Sequence, residues 1–199
     1  KWQRNREKSF QGSMMHFMRS LYHDKLASEG FEVRRMVRVP NSEKERVKKI
    51  YLPSLTNRTI TFNGGSISVN RPDSLSKDSM DYYDRVMQQK DYTEIYSPAL
   101  LTADSLVVQI DGIYKVIFFT DYLYITFKKE TEDKEYLLFH HERRSPTFQR
   151  SYIWLTNLNP IAIDANGSYY PPQEIFSMSY WGWEEKIANM LPLDYEPGQ

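Results

Sequence analysis

The chain contains no cysteine among its 199 residues. Disulfide bridges, catalytic thiolates and cysteine-based zinc sites are therefore excluded, whereas the compartment stays open because many exported bacterial proteins also lack cysteine. The sequence has no apolar run close to the roughly 18 to 20 residues that a membrane-spanning helix requires. It carries no signal peptide and begins with Lys1 rather than methionine, so we expect it to be part of a longer protein.

Apolar residues make up 40% and charged residues 26% of the sequence, a balance typical of a globular protein rather than a disordered one. A chain of this length corresponds to one domain, alone or with an appendage, and is long enough to bury a hydrophobic core. The aromatic residues include 15 tyrosines. Because tyrosine combines an apolar ring with a polar hydroxyl, this surplus suits half-buried strand faces and binding surfaces alike.

The net charge is zero, but the two signs are unevenly distributed. Residues 1–50 carry 13 basic and 6 acidic side chains, a balance of +7, and the rest of the chain carries 13 and 20, a balance of −7. The basic part either attracts phosphate, nucleic acid or anionic lipid, or faces the acidic remainder of the same molecule. Its basic residues are not interleaved with stacking aromatics, which favours the second interpretation. We therefore predict no nucleic-acid partner.

Hydrophobic periodicity predicts a helix within residues 12–31, with Ser13 as its N-cap and Gly30 as its C-cap. A strand follows and ends at Pro40, and a charged helix begins after it with Asn41 or Ser42 as the cap. Farther along we predict a hairpin over residues 58–70, turning at Asn63-Gly64-Gly65, and a helix over residues 74–89.

Strand patterns dominate from residue 104 onward. Residues 105–119 predict a hairpin that turns at Asp111-Gly112, and residues 121–129 predict a strand with Leu123, Ile125 and Phe127 on one face and Tyr122, Tyr124 and Thr126 on the other. The segment KEYLLFH fits a strand or a helix, and two further strands follow it. Glu184 and Glu185 suit the first turn of a final helix, which Pro192 ends.

These elements predict an α+β fold, a mostly antiparallel β-sheet flanked by three or four helices. We expect a single domain, or a fragment of one, over residues 1–199. Its parts are a helical and basic segment (1–50), a hairpin and helix (51–100), a sheet-rich segment (101–180) and a terminal helix (181–191).

Two stretches of the sequence resemble a known family. WQRNREKSFQGSMMHFMRSLYHDKLASEGFEVRRM near the start and YYPPQEIFSMSYWGWEEKIANMLPLDYEP near the end are similar to the C-terminal half of the uncharacterised Bacteroidetes carboxypeptidase-like regulatory domain-containing proteins. The strands between them are compatible with that family. The small N-terminal β-sandwich that gives the family its name is absent from this chain.

The resemblance implies an exported protein of the cell envelope, periplasmic or associated with the outer membrane. It implies no peptidase activity, because the family name refers to a non-catalytic accessory domain. No catalytic residue and no cofactor come with it.

Four histidines are candidates for metal binding or catalysis. His16 and His23 lie seven residues apart, whereas a helical pair of metal ligands needs a spacing of three or four. Both project away from the apolar stripe of their helix, so we expect them at the surface, with a bond from His16 to a neighbouring strand as the alternative. His140 and His141 are adjacent, and on a strand they point to opposite faces. We therefore predict no metal site.

The candidate binding residues are basic or aromatic. Arg143 and Arg144 precede a Ser-Pro pair and suit a phosphate or carboxylate, or else belong to a charged loop. The aromatic candidates are Trp154, Trp181, Tyr169 and Tyr170. These rings either stack on a sugar or peptide or pack the terminal helix against the sheet, and packing is the favoured interpretation of Trp181. Tyr169 and Tyr170 cannot both face the core if the strand is extended, and whichever faces solvent is the best contact candidate.

The sequence leaves two candidate functions. The first is a non-catalytic envelope module that binds a partner protein or glycan or supports assembly, and it predicts a shallow aromatic groove without converging titratable groups. The alternative is a hydrolase of an envelope or dietary polymer that uses Glu142 or Asp121 near His140.

Overall fold

The computed structural model of the chain describes residues 2–55, 60–62, 65–67, 77–186 and 189–198. It confirms the predicted α+β class, since helices accompany sheets whose paired strands run antiparallel. The chain forms two compact units, one of Lys1–Val37 with Tyr96–Gln199 and the other of Arg38–Ile95.

The described residues contain seven α-helices, more than the three or four predicted. They are α1 (Trp2–Phe10), α2 (Met14–Tyr22), α3 (Ser42–Leu55), α4 (Lys77–Met87), α5 (Ala103–Leu106), α6 (Lys134–Phe139) and α7 (Tyr180–Glu184). The last three span six residues or fewer, too short for hydrophobic periodicity to mark them as helices.

The strands in order are β1 (Phe31–Pro40), β2 (Ile60–Phe62), β3 (Gly65–Ile67), β4 (Tyr92–Leu100), β5 (Val107–Asp111), β6 (Tyr114–Ile117), β7 (Tyr122–Thr131), β8 (Phe148–Leu155), β9 (Ile161–Ile163), β10 (Tyr169–Tyr170) and β11 (Ile175–Ser179). One sheet has five strands in the order β11-β8-β7-β1-β4, and another has four in the order β10-β9-β6-β5. The predicted hairpin of β2 and β3 is confirmed as a separate two-stranded sheet, although residues 63 and 64 of its turn lie outside the described residues.

In the first unit, α2 and both larger sheets share one hydrophobic core. Phe17, Met18 and Leu21 of α2 are fully buried. They belong to the same cluster as Ile125 of the five-stranded sheet and Ile163 of the four-stranded sheet. The apolar stripe of α2, visible in the sequence, is therefore the face that packs between strands from both sheets.

The second unit is built around the helices α3 and α4. Val47 of α3 and Val86 of α4 are buried together, and Tyr83 packs against them. The cap of α3 is Asn41, whose Oδ1 accepts a hydrogen bond from the backbone N–H of Lys44 at 3.0 Å. Residues 74–76 of the helix predicted over residues 74–89 lie outside the described residues.

The helix predicted within residues 12–31 is shorter in the structure. Ser13 is its N-cap, as predicted, because its hydroxyl accepts a hydrogen bond from the backbone N–H of His16. The helix ends at Tyr22, since Asp24 adopts a left-handed φ of 54°. Gly30 instead lies directly before β1, with a φ of 90°. The predicted C-cap was therefore wrong.

The terminal helix also differs from its prediction. It ends at Glu184 rather than near Pro192, so Glu184 and Glu185 lie at its C-terminal end instead of in its first turn. Residues 187 and 188 of the predicted helix lie outside the described residues. Helix α1 was not predicted, because its single buried residue, Phe10, produces no apolar stripe.

Candidate functional site

One face of the five-stranded sheet carries a row of large aromatic side chains. The prediction for β7 is confirmed: Leu123, Ile125 and Phe127 are buried. Tyr122 and Tyr124 alternate with them and are only partly buried. Successive side chains of a strand point to opposite faces, so these tyrosines project from the face away from the core.

Strand pairing brings further aromatic rings to the same face. Tyr152 of β8 lies opposite Tyr124, and Phe176 of β11 lies opposite Trp154. Directly paired residues share a face, and Met178 is paired with Tyr152 in the same way. Two adjacent strand pairings thus extend the surface across β7, β8 and β11.

The rings form two rows. In the first, Trp154 lies between Tyr122 and Phe176, with ring centroids 5.5 Å apart on both sides. In the second, Tyr124 lies between Tyr96 and Tyr152, at 4.8 and 5.2 Å. We name this surface the aromatic face and define it by seven residues: Tyr96, Tyr122, Tyr124, Tyr152, Trp154, Phe176 and Met178.

The aromatic face retains solvent contact. Phe176 is 52% exposed, and Tyr96 and Met178 are each 39% exposed. The hydroxyls of Tyr96 and Tyr152 lie 3.2 Å apart and share a hydrogen bond. Arg34 and Arg150 lie beside the rings, because their paired residues in β7 are Tyr124 and Thr126. The surface therefore combines ring area, hydroxyl groups and guanidinium groups.

Tyr169 and Tyr170 occupy β10, at an edge of the four-stranded sheet. Tyr169 packs against the core, whereas Tyr170 is 51% exposed. The expectation that only one of the two faces the core is confirmed, and Tyr170 is the solvent-facing one. The Tyr170–Pro171 peptide bond is cis.

Trp181 is 2% exposed and belongs to the core cluster. Its indole N–H donates a hydrogen bond to the carbonyl of Gly12 at 2.6 Å, and its backbone N–H donates to the Ser151 hydroxyl at 3.1 Å. This placement matches packing of the terminal helix rather than contact with a ligand. Trp154 is the predicted aromatic candidate that lies on the aromatic face.

The two candidate arginines have different surroundings. Arg144 donates two hydrogen bonds to the buried carboxylate of Glu132, at 2.6 and 2.9 Å, and one to Glu142 at 2.5 Å. Arg143 is exposed. The guanidinium of Arg144 is therefore engaged within the chain, which matches the charged-loop alternative.

His16 is buried rather than at the surface, so the expectation of a surface histidine was wrong. Its Nδ1 accepts a hydrogen bond from the backbone N–H of Gly12 at 3.1 Å, and its Nε2 lies 3.4 Å from a carboxylate oxygen of Glu29. The ring stacks on Phe10 at 4.7 Å. Burial lowers the pKa of His16 to about 4, because water no longer stabilises the charged imidazolium.

The other histidines occupy exposed positions. His23 is exposed, as predicted. The segment KEYLLFH contains the helix α6, the second of its two predicted alternatives, so His140 and His141 follow a helix and the argument from opposite faces of a strand does not apply to them. His140 packs beside Tyr136, with ring centroids 4.5 Å apart. In the described ranges, no three His, Asp or Glu side chains are grouped in a way that suits a metal ion.

The residues proposed for hydrolysis are paired with arginine. Glu142 bonds to Arg144, and the carboxylate of Asp121 bonds to the guanidinium of Arg35. Each of the two carboxylates is thus paired with an arginine side chain.

Every helix in the described part of the chain is too short or too polar to span a bilayer.

Trp154 is the one residue of the aromatic face that the sequence predicted as a binding candidate, and the strands that carry three of the others were missed. Tyr96 lies on β4, and Phe176 and Met178 lie on β11, two strands that were not predicted. In the segment IFSMS, the alternation of the apolar Phe176 and Met178 with two serines is the sequence signal that indicates the second of them.

Comparison with known proteins gives no further identification. No protein-family model, curated protein or solved structure matches this chain. The resemblance to the carboxypeptidase-like regulatory domain-containing proteins therefore stays a prediction.

Proposed function

We propose that this chain is a non-catalytic binding module of the cell envelope and that its aromatic face binds a partner protein. The contiguous aromatic surface of six rings and a methionine, three of them 39–52% exposed, carries the proposal. Soluble proteins rarely leave a contiguous apolar surface uncovered unless it serves binding.

The composition of the aromatic face favours a protein partner over a glycan. Protein–protein interfaces are enriched in tyrosine, tryptophan, phenylalanine, methionine and arginine and depleted in lysine and carboxylates. The seven residues of the face follow this pattern, and the charged residues beside them are Arg34, Arg150 and Glu32, which pairs with Thr126 as Arg150 does. Tyrosine and tryptophan also give a large contact area at a small cost in side-chain entropy, because each has only two rotatable side-chain bonds.

The rigidity of the surface supports the same proposal. Its rings are carried by paired strands and contact one another, and the bond between the hydroxyls of Tyr96 and Tyr152 restrains two of them. A surface that is already ordered loses little conformational entropy when a partner binds. Catalysis has no comparable support, because Glu142 and Asp121 are held by Arg144 and Arg35.

The envelope assignment rests on the resemblance of both ends of the chain to an exported family. It is tested separately from binding, by fractionating the source bacterium and locating the protein with an antibody. Recovery in the periplasm or outer membrane supports the assignment, and recovery in the cytoplasm contradicts it.

Binding is tested by site-specific photocrosslinking. Phe176 is replaced by a photoreactive phenylalanine analogue, and Ile110 of β5, which is 68% exposed, is replaced in the same way as a control on the other sheet. Both proteins are irradiated with an envelope extract of the source organism, and crosslinked proteins are identified by mass spectrometry. We expect a specific product from position 176 that position 110 does not give.

The identified partner is then purified and titrated against the wild-type chain and two variants. We expect Phe176→Glu, which replaces the most exposed ring of the aromatic face with a charge, to weaken binding by about 10- to 30-fold, and Ile110→Glu to leave it unchanged. Equal weakening by both variants, or none by Phe176→Glu, contradicts the proposal. A glycan that binds the wild type but not Phe176→Glu replaces the protein partner with a carbohydrate.

A further inference from the structure

A second feature of the first unit is a cleft of about 280 Å³ beside β10, which we name the Tyr170 cleft. It is defined by Met14 and Met15 of α2, Tyr169 and Tyr170 of β10, Glu185 after α7, and Met190. This volume is at the lower end of small-molecule pockets, which span about 300 to 1,000 Å³. The cleft therefore suits one short side chain or a small molecule rather than a polymer.

The β10 side of the cleft is held in place by its contacts with α2. The guanidinium of Arg19 donates a hydrogen bond to the carbonyl of Asn166 at 2.9 Å. A Cβ on Gly167 would lie 2.4 Å from the carbonyl oxygen of Met15, so the turn approaches α2 as closely as a glycine allows. The turn that leads to Tyr169 and Tyr170 is thus fixed against the helix without a ligand.

Glu185 is the one charged residue among the described residues that line the cleft. Its Oε1 accepts a hydrogen bond from the backbone N–H of Met14 at 2.8 Å. The residue as a whole is solvent-exposed, but this carboxylate has lost enough water for desolvation to raise its pKa, against the effect of the bond from Met14. Among the described residues, no lysine or arginine side chain forms an ion pair with Glu185.

Tyr169 lies close enough to Glu185 for the two groups to interact. Burial raises the pKa of the Tyr169 hydroxyl, and the negative charge of Glu185 raises it further. Glu185 and Tyr169 both line the Tyr170 cleft, so the carboxylate and the ring border the same space. A carboxylate next to aromatic rings attracts a cation in two ways, through its charge and through the negative faces of the rings.

We propose that the Tyr170 cleft binds an aliphatic ammonium group, placed between Glu185 and the tyrosine rings, with its methylene chain against the methionines. An anion is disfavoured because it would meet the carboxylate. A neutral alkyl chain fills the apolar part of the cleft but leaves the carboxylate without a counterion. Methionine side chains are flexible and polarisable, so they adapt to the shape of an alkyl chain.

The ammonium group has two sources that share this chemistry, a free alkylamine and the side chain of a lysine in a peptide. Hexylamine represents the first and Nα-acetyl-lysine methylamide the second. Hexanol and Nα-acetyl-norleucine methylamide are their neutral counterparts. Whichever amine binds more tightly identifies the source.

Binding is measured by NMR on the chain labelled with ¹³C at its methionine methyl groups. The chain has 8 methionines, of which Met14, Met15 and Met190 line the cleft. We expect either amine to shift these three resonances and to bind roughly tenfold more tightly than its neutral counterpart, the gain that an ion pair together with an aromatic contact provides. Equal affinities for amine and neutral counterpart, or no shift of the three resonances, overturn the proposal.

Two variants separate the contributions of the charge and the ring. Glu185→Gln keeps an acceptor for the Met14 N–H but removes the charge, so the preference for amines should disappear. Retention of that preference in the variant overturns the proposal. Should Glu185→Gln not fold, Tyr170→Leu removes an exposed ring and should weaken amine binding several-fold, and an unchanged affinity overturns the proposal in that case.

This proposal is independent of the proposed function. Met178 lies on the aromatic face and not among the residues that line the Tyr170 cleft. Its resonance therefore reports binding at the aromatic face, and the resonances of Met14, Met15 and Met190 report binding in the cleft. The partner of the aromatic face should shift Met178 alone, and the amines should leave Met178 unchanged. The failure of one proposal is therefore visible without the failure of the other.

Discussion

The indole N–H of Trp181 donates a hydrogen bond to the backbone carbonyl of Gly12, 2.6 Å away and 169 positions earlier in the chain. The bond joins α7 to the turn that precedes α2, in a position where both residues are buried. This bond therefore connects a residue near the start of the first unit with one near its end, within the buried interior.

This bond leads to a prediction for unfolding free energies. Trp181→Phe retains most of the buried ring but leaves the Gly12 carbonyl without its donor, so we expect a loss of about 1 to 3 kcal/mol. The indole N–H of Trp154 forms no hydrogen bond with any described residue, so Trp154→Phe should cost less than about 1 kcal/mol. Urea denaturation of the two variants measures the difference, and equal losses would contradict the role of the bond.

Two glycines with left-handed backbone give a matched pair. Gly167 and Gly112 have φ values of 82° and 59°, and a Cβ at Gly112 would meet nothing within 4 Å, unlike one at Gly167. Gly112→Ala should therefore cost only the backbone penalty, about 1 kcal/mol. Gly167→Ala adds a clash with the Met15 carbonyl, for a total of about 3 kcal/mol. Thermal or urea unfolding measures both losses. Equal losses of unfolding free energy in the two variants would contradict the predicted clash at Gly167.

The buried imidazole of His16 makes stability depend on pH. Its folded-state pKa of about 4 is below the ordinary value of 6.5, so between these values the unfolded chain binds the proton and the folded chain does not. Stability should therefore fall as the pH is lowered through this window, by about 3 kcal/mol from this residue.

His16→Asn tests this dependence, because its amide oxygen replaces Nδ1 as the acceptor for the Gly12 N–H but does not titrate. The variant should have a flatter profile of unfolding free energy between pH 6.5 and 4 than the wild type. His23→Asn, at an exposed position, is the control and should keep the wild-type slope. A wild-type slope in His16→Asn would rule out His16 as the cause.

Arg144 and its neighbour Arg143 should differ sharply in their effect on stability. Burial tends to raise the pKa of Glu132, but hydrogen bonds from Arg144 and Thr147 outweigh it and lower that pKa. Arg144→Ala leaves this buried carboxylate without its cation, so we expect a loss of roughly 2 to 4 kcal/mol at pH 7. Arg143→Ala should change the free energy of unfolding by less than about 0.5 kcal/mol.

A second substitution identifies the origin of the Arg144 effect. Adding Glu132→Gln to Arg144→Ala removes the buried charge while leaving an acceptor for the Thr147 N–H, which bonds to Glu132 at 2.9 Å. Part of the lost stability should return. No recovery in the double variant would mean that the charge of Glu132 is not what Arg144 compensates.

Local patterns predicted the elements whose side chains alternate or recur regularly. The strand β7 was visible because Leu123 and Ile125 alternate with tyrosines, and Ser13 was recognisable as a cap because a hydroxyl before a helix accepts a backbone N–H. The helix α1 was not visible, since its burial is confined to Phe10. The end of α2 was misplaced because the turn at Asp24, rather than a glycine, ends it.

The candidate site was only partly accessible from the sequence. Trp154, Tyr169 and Tyr170 were recognised as aromatic candidates, but their division between two surfaces was not. Trp154 joins the aromatic face because β11 pairs with β8 and brings Phe176 opposite it. Tyr170 lies at the second surface, the Tyr170 cleft, because residues of α2 and of the segment 189–193 line the cleft together with β10.

The sequence alone determined the α+β class, the absence of cysteine chemistry and the alternation that directs tyrosines away from the core. These properties depend on composition and on the geometry of single strands and helices. Only the tertiary structure decided that His16 is buried, that Trp181 belongs to the core, and which strands place their rings side by side. Those outcomes depend on contacts between residues far apart in the chain, and no local pattern contains them.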